Sequence, residues 1–135
     1  MKYLLSKSVA AIAAVAVMAA FSTVPPAAAH HSHSMFDLTT TQIITGSVKT
    51  FVFQNPHVFL FVNVANTDTD TGKPTTYAIE MSHVQNTLSH GITAATFKPG
   101  DSVTIKMNPL HGGRPGGQYI TIAKDGKEYT RGAGE

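Results

Sequence analysis

Hydrophobic and polar residues alternate along several short segments of this chain, which is the pattern of half-buried β-strands. The clearest segment is HVFLFVNVA, which starts at His57. Because successive side chains of a strand point to opposite faces, its even-numbered positions predict one aliphatic core face. These positions are Val58, Leu60, Val62 and Val64. The opposite face carries Phe59 and Phe61, with His57 at its start.

The same reasoning predicts four further strands and one short helix. The strands are TQIITGSVKTFVF from Thr41, TTYAIEM from Thr75, SVTIKMNPL from Ser102 and YITIA from Tyr119. The segment SHVQNTLSHG, from Ser82 to Gly91, has a possible N-cap at Ser82 and a glycine after its last turn, which indicates a helix. Three strands, a helix and two strands predict an all-β fold, a five-stranded, partly open barrel like the OB-fold. A small β-sandwich is the alternative.

The first 29 residues have a different pattern, which predicts a secretory signal peptide. Lys2 and Lys7 precede thirteen uncharged apolar residues, Val9 to Phe21, and the small residues Ala27–Ala29 follow a Pro-Pro break. The apolar run is too short for a membrane span, which needs about 20 residues. We therefore expect cleavage after Ala29, and a periplasmic or secreted bacterial protein that does not span the membrane after cleavage.

Cleavage would divide the chain into four parts. These are a signal peptide at 1–29, a flexible histidine-rich arm at 30–40, the barrel domain at 41–130 and a loose tail at 131–135. Removing Lys2 and Lys7 leaves 10 − 2 = 8 basic residues against 8 acidic ones, so the mature chain would be neutral with histidine uncharged. A neutral chain lacks the basic surface that a nucleic-acid-binding protein needs. The chain has no cysteine, which excludes disulfides and thiolate metal sites.

Three sequence motifs resemble those of a known family. These motifs are HHS at the expected mature start, GSVKTFVFQNPHVFLFV with its Asn-Pro-His turn, and FKPGDSVTI with its Lys-Pro-Gly-Asp turn. Together they resemble an uncharacterised family of small secreted bacterial proteins, a domain of unknown function. The resemblance covers most of residues 30–123. It implies the fold and the compartment, and it implies no reaction.

Histidines are the residues most capable of chemistry in this chain. His30, His31 and His33 cluster at the expected mature start, His57 begins a strand, and His111 opens a glycine-rich loop. If cleavage exposes His30, its α-amine and imidazole can bind one metal ion together. A second imidazole, from His57 or His111, would complete a T-shaped set of three nitrogens. Such a set suits copper best, with nickel and zinc as alternatives.

Other interpretations of the histidines remain open. A cut one residue earlier would put His31 at position three, where amine, amides and imidazole can wrap Cu(II) or Ni(II) in a square plane. The terminal histidines can equally be a polar linker, because His-rich tracts indicate metal binding without proving it. His57 can be a turn residue that donates to the backbone. His83 and His90, at the ends of the short helix, are expected to be structural.

These patterns predict a periplasmic metal-binding protein, with copper favoured, that serves storage, delivery or sensing. The predicted ligands come from His30, His31, His33, His57 and His111, and a periplasmic protein partner is a further expectation. The alternative is a non-catalytic binding module that uses the aromatic face of strands two and three, since OB barrels bind ligands there. The sequence contains no pattern specific for an enzyme.

Overall fold

The computed structural model of the protein describes residues 35–66 and 72–132. Six strands and one α-helix lie within these ranges. They are β1 (Gln42–Val52), β2 (Phe59–Val64), β3 (Thr75–Glu80), α1 (Val84–Ser89), β4 (Ser102–Pro109), β5 (Gly116–Lys124) and β6 (Lys127–Thr130). A 3-10 turn, His111–Gly113, separates β4 from β5.

The first five strands form a closed barrel. β1 pairs with β2 and with β4, β2 pairs with β3, and β4 pairs with β5, all antiparallel. A short parallel pairing between β3 and β5 closes the circle. The strand arrangement, with α1 between β3 and β4, confirms the prediction of an all-β barrel and excludes the sandwich. The barrel is closed rather than partly open, because β3 and β5 meet.

The long strand β1 takes part in two sides of the barrel. Its first half, up to Ser47, pairs with β4, and its second half, from Ser47 onward, pairs with β2. Gly46 lies at this change of partner, where a Cβ atom would overlap the carbonyl oxygen of Asn63. A register shift between Val48 and Thr50 follows. Gly46 therefore permits a close backbone approach, and the bulge lies just after it.

Two glycines that the sequence assigned to a loop are part of β5. Gly116 and Gly117 are the β5 partners of Ala78 and Ile79 in the parallel pairing. A Cβ atom on Gly117 would overlap the carbonyl oxygen of Asn108 and lie 2.9 Å from the sulfur of Met107. The prediction that β5 begins at Tyr119 was therefore wrong. Glycine is required here because three backbones, β3, β5 and β4, meet closely.

The barrel interior is filled by alternating residues of all five strands, as the pattern of β2 predicted. Val58, Leu60 and Val62 are fully buried, whereas Phe59 and Phe61 are only partly buried on the outer face. The core extends from the barrel interior to residues that flank helix α1. Its further members are Ile44, Val48, Ile79, Met81, Ile92, Phe97, Val103, Ile105, Met107, Tyr119 and Ile122.

Helix α1 has a side-chain cap at its start and a glycine after its end. The residue that caps its start is His83, whose Nδ1 accepts a hydrogen bond from the backbone N–H of Asn86 at 3.3 Å. The expected cap, Ser82, instead accepts a hydrogen bond from the Asn86 side chain. Gly91, with φ of 77°, follows the helix and adopts the left-handed conformation that ends many helices.

Both ends of the described chain are attached to the barrel. Lys127–Thr130 forms a sixth strand, β6, which pairs with β5 and which the sequence pattern did not predict. At the other end, Phe36 forms an isolated antiparallel bridge with Leu110, and the Asp37 N–H donates to the Pro109 carbonyl at 2.8 Å. Phe36 is buried. The chain is therefore joined to β4 already at Phe36, five residues before the predicted start of the barrel domain at Thr41.

Candidate functional site

His57 and Glu80 form a side-chain pair on the outer surface of β2 and β3. Nδ1 of His57 is hydrogen-bonded to Oε1 of Glu80. The imidazole side chain is 38% exposed, whereas the carboxylate side chain is only 10% exposed. The buried acid therefore supports a histidine that solvent and ligands can reach.

The Asn-Pro-His turn places His57 at this position. The Asn55–Pro56 peptide bond is cis, and Oδ1 of Asn55 accepts a hydrogen bond from the first N–H of helix α1, at Val84, at 3.0 Å. The next residue, Val58, is fixed to the other side of the same junction, because its N–H donates to the Ser82 carbonyl at 3.1 Å. Residues on both sides of His57 are thus anchored, so the imidazole starts from a defined backbone position.

No pattern along the chain indicates that Glu80 belongs with His57. The two residues are 23 positions apart and meet because Glu80 pairs with Phe59 in the β2–β3 register, two residues from His57. In this β2–β3 pairing, a shift of one residue would have turned Glu80 into the barrel. The register, which only the folded sheet defines, therefore creates this pair.

The pairing determines which nitrogen of His57 is open to a ligand. Nδ1 is directed at the carboxylate, and Nε2 has no bonding partner among the described residues. Metal-binding histidines nearly always have their second ring nitrogen bonded to a carboxylate, a carbonyl or water, which orients the ring and raises its basicity. His57 therefore has the local surroundings of a metal ligand, with Glu80 as its supporting residue.

Gln118 extends the polar row next to this pair. It is the β5 partner of Glu80 and is 8% exposed. Its Oε1 is buried without a hydrogen-bond partner in the described structure. Asn108 is the β4 partner of Gln118. Both polar atoms of its side chain are hydrogen-bonded, because Nδ2 donates to the Thr40 carbonyl and Oδ1 accepts from Arg131.

Two phenylalanines flank the histidine on the same outer face. The rings of Phe59 and Phe61 are stacked with centroids 6.0 Å apart and planes at 25°. Both rings are partly exposed. Tyr77, the aromatic residue of β3, lies opposite Val62 and packs against the core instead. The outer aromatic surface is therefore confined to Phe59 and Phe61.

His111 lies at a different part of the barrel, beside the end of the described N-terminal segment. It follows Leu110, the bridge partner of Phe36, and it is exposed. Because the bridge is antiparallel, Met35, the residue before Phe36, lies opposite His111, the residue after Leu110. Hydrogen bonds from the Thr39 and Thr40 side chains, with the nearby His111 as a smaller electrostatic cause, lower the pKa of Asp37 from 3.8 to about 2. Asp37 therefore remains negatively charged down to acidic pH, close to His111.

The two barrel histidines do not converge on one site. Leu110, Gly116, Ala78 and Phe61 form a row across β4, β5, β3 and β2. The row curves around the closed barrel, and His57 precedes Phe61 by four residues, which is about 13 Å along the strand direction. His111 lies on the opposite side of the row. One metal ion, bound at about 2 Å, cannot contact both.

His83 and His90 have structural roles. His83 caps helix α1, and His90 bonds through Nδ1 to the Tyr119 hydroxyl at 2.9 Å while Nε2 accepts the Gly132 N–H at 3.3 Å. Both are structural, as predicted. His30, His31 and His33 lie outside the described residues. Within residues 35–66 and 72–132, no group of three His, Cys, Asp or Glu side chains is placed to hold a metal ion.

The fold and these surfaces define a small OB-like barrel domain that presents histidines on two separate edges. The chain belongs to DUF6152, a family of unknown function, whose model matches residues 5–119. No curated protein and no solved structure matches the chain significantly. Among the helices of the described residues, none has the length and apolarity needed to cross a membrane.

Proposed function

We propose that this protein is a bacterial periplasmic metal-binding protein that holds copper between its processed N-terminus and His111. Cleavage after Ala29 would give His30 a free α-amine beside its imidazole. The imidazole of His111 would supply the third nitrogen of a T-shaped set. Three nitrogen ligands in a plane favour Cu(II), and nickel or zinc would bind more weakly. Storage, delivery and sensing of copper are all compatible with such a site.

The observation that carries this proposal is the bridge between Phe36 and Leu110. It attaches the described chain to the barrel one residue before His111. Six residues separate His30 from Phe36, and an extended chain of that length reaches about 20 Å. A segment of this length is long enough for His30 to contact His111.

Two features of the surroundings support a cation at this edge. Asp37 remains ionised at neutral pH and lies near enough to His111 to be affected by its charge. His111 is exposed, so it can move to meet a metal ion without breaking packing. His31 and His33 are the alternative ligands if the chain is cut at a different residue. A chain that begins at Ala29 would bind Cu(II) through His31 without His111.

The test is the intact mass and the copper affinity of the protein exported by a bacterium and processed by its own peptidase. We expect a chain that begins at His30 and binds one Cu(II) with a dissociation constant well below about 1 μM. His111→Gln should weaken this binding at least tenfold, whereas the matched variant His57→Gln should leave it unchanged. Binding no tighter than micromolar in the wild-type protein would refute the proposal.

The second candidate function is a non-catalytic interaction module. The specific observation in its favour is that Phe59 and Phe61 stack on the outside of the barrel, since small barrels otherwise use such side chains to fill the interior. OB barrels commonly recognise ligands with this face. A Phe61→Ser variant that keeps its copper affinity but loses a binding partner would separate this function from the first.

A further inference from the structure

Met35 is an exposed methionine beside the histidine of the proposed copper site. The antiparallel bridge between Phe36 and Leu110 puts Met35 opposite His111, at the next position of both segments. Met35 is 44% exposed, and His111 is exposed as well. Directly opposite residues of an antiparallel pair have Cβ atoms about 4.5–5.5 Å apart. The thioether sulfur and the imidazole can therefore bind the same metal ion from neighbouring positions.

Sulfur donors are scarce in this chain, which makes the position of Met35 informative. The chain has five methionines and no cysteine. Two of the methionines, Met1 and Met18, belong to the predicted signal peptide. Met81 and Met107 are only 1% and 0% exposed, and both are part of the hydrophobic core. Among the described residues, Met35 therefore carries the one sulfur atom that a metal ion in solvent can reach.

The neighbours of Met35 along the chain have other tasks. Phe36 is 4% exposed and attaches this segment to the barrel. The carboxylate of Asp37 is held by its own threonines, because Oδ1 accepts from the N–H and the hydroxyl of Thr39 and Oδ2 accepts from the hydroxyl of Thr40. Asp37 therefore supplies negative charge to this edge rather than a free ligand. Met35 is the residue of this segment whose side chain remains available to a metal ion at His111.

The chemistry of a thioether points to one oxidation state of copper. Thioether sulfur is a soft ligand that selects Cu(I), whereas imidazole nitrogen binds copper in either state. A free α-amine and a planar set of nitrogens favour Cu(II) instead. Nitrogen ligands alone would thus lose much of their hold on copper after its reduction. A sulfur atom next to the same imidazole compensates for that loss.

We infer that Met35 is a copper ligand beside His111 and that the site takes its copper as Cu(I). The Cu(I) ligands are the thioether of Met35 and the imidazoles of His111 and His30. In the Cu(II) form the nitrogens dominate, and the sulfur is at most a weak axial ligand, as methionine is in blue-copper sites. This ligand set rests on the proposed copper site, to which it adds a further ligand and the oxidation state of the bound ion.

The test is the affinity of the exported, processed protein for both oxidation states of copper. Cu(I) is kept reduced by ascorbate without oxygen and is titrated against the chelator bicinchoninate. We expect Met35→Leu to weaken Cu(I) binding by about tenfold or more and to change Cu(II) binding by less than about twofold. Leucine nearly conserves the volume of methionine, so the bridge next to it should persist. His111→Gln should weaken the binding of both ions.

A second variant controls for the position of the sulfur. Leu38 is 54% exposed on the same segment, so Met35→Leu combined with Leu38→Met keeps one exposed methionine but moves it. We expect this double variant to bind Cu(I) as weakly as Met35→Leu alone. X-ray absorption should show one sulfur neighbour of Cu(I) in the wild type and none in Met35→Leu. With no cysteine in the chain, that sulfur must come from a methionine.

Three results would overturn the role of Met35. They are a wild-type protein that binds Cu(I) no more tightly than micromolar, an equal Cu(I) affinity in Met35→Leu, and a full recovery of Cu(I) binding in the double variant. The proposed function is judged separately. Tight Cu(II) binding that depends on His111, together with weak Cu(I) binding, keeps the proposed function and refutes the sulfur ligand. Weak Cu(II) binding, together with Cu(I) binding that depends on Met35, does the reverse.

Discussion

Gly117 of β5 and Asn108 of β4 approach so closely that a Cβ atom on the glycine would overlap the asparagine carbonyl. The same glycine pairs with Ile79 of β3 on its other side. Gly117 therefore permits the close approach of β5 to β4, and its neighbour Gly116, where a Cβ atom would overlap the Ala78 carbonyl, permits the close approach of β5 to β3 where the barrel closes.

Replacement of Gly117 by alanine is expected to destabilise the barrel. The new methyl group would meet the Asn108 backbone and the Met107 sulfur, and overpacking of this kind typically costs about 1–3 kcal/mol. Chemical denaturation would measure the loss, with the exposed strand residue Ser102→Ala as the control. A variant as stable as the control would show that β4 and β5 can move apart at this point without cost.

Leu60 and Phe61 test which face of β2 is the interior. Leu60 is fully buried, whereas Phe61 is partly exposed and stacks on Phe59. We expect Leu60→Ala to lower the free energy of unfolding by about 2–5 kcal/mol, the usual cost of a core cavity. Phe61→Ala should cost less than about 1.5 kcal/mol, since it loses mainly an aromatic pair on the surface. Equal losses in urea denaturation would contradict the assigned faces.

The Tyr119 hydroxyl connects the core to the end of helix α1 through His90. Tyr119→Phe removes this hydroxyl and leaves Nδ1 of His90 without that partner, so we expect a loss of about 0.5–1.5 kcal/mol. For a small domain this corresponds to a drop of roughly 4–8 °C per kcal/mol in the melting temperature. Tyr129→Phe is the control, because its ring keeps the edge contact with Phe97 at 5.7 Å. A larger loss in the control than in Tyr119→Phe would argue against the His90 contact.

Asp37 should make stability depend on pH in the acidic range. Its pKa is about 2 in the folded protein and 3.8 as the reference for the unfolded chain, so the unfolded state takes up the proton first. The stabilisation that the ionised Asp37 gives the folded state is complete above pH 4, and it is lost as the pH falls through about 2. The Asp37→Asn variant should therefore lose less of its free energy of unfolding than the wild type over this acidic range.

Carbon-13 NMR of the Asp37 carboxyl would measure the folded titration directly. We expect a midpoint near 2, where the hydrogen bonds from Thr39 and Thr40 are lost. A midpoint at 3.8 would mean that these threonines do not hold the carboxylate. Thr39→Val supplies the matched check, because it should move the midpoint upward while leaving the Phe36–Leu110 bridge in place.

The sequence by itself determined the local features of the fold. Alternation in β2 identified Val58, Leu60 and Val62 as core residues, and the order of strands around one short helix indicated the barrel. These features follow from the period of two in a strand and from short-range capping signals, both of which are readable along the chain. The role of Gly116 and Gly117 was missed, because glycine suits tight turns as well as close backbone approaches.

Only the tertiary structure decided which distant side chains meet. Glu80 reaches His57 because of the β2–β3 register, and Phe36 lies beside Leu110 because the chain returns to β4 before β1 begins. The separation of His57 from His111 has the same origin, although both are histidines next to a loop. Cross-strand neighbours depend on register and barrel closure, which arise from contacts far apart in the sequence and leave no local pattern. For that reason the sequence identified the candidate histidines, and the fold divided them between two edges.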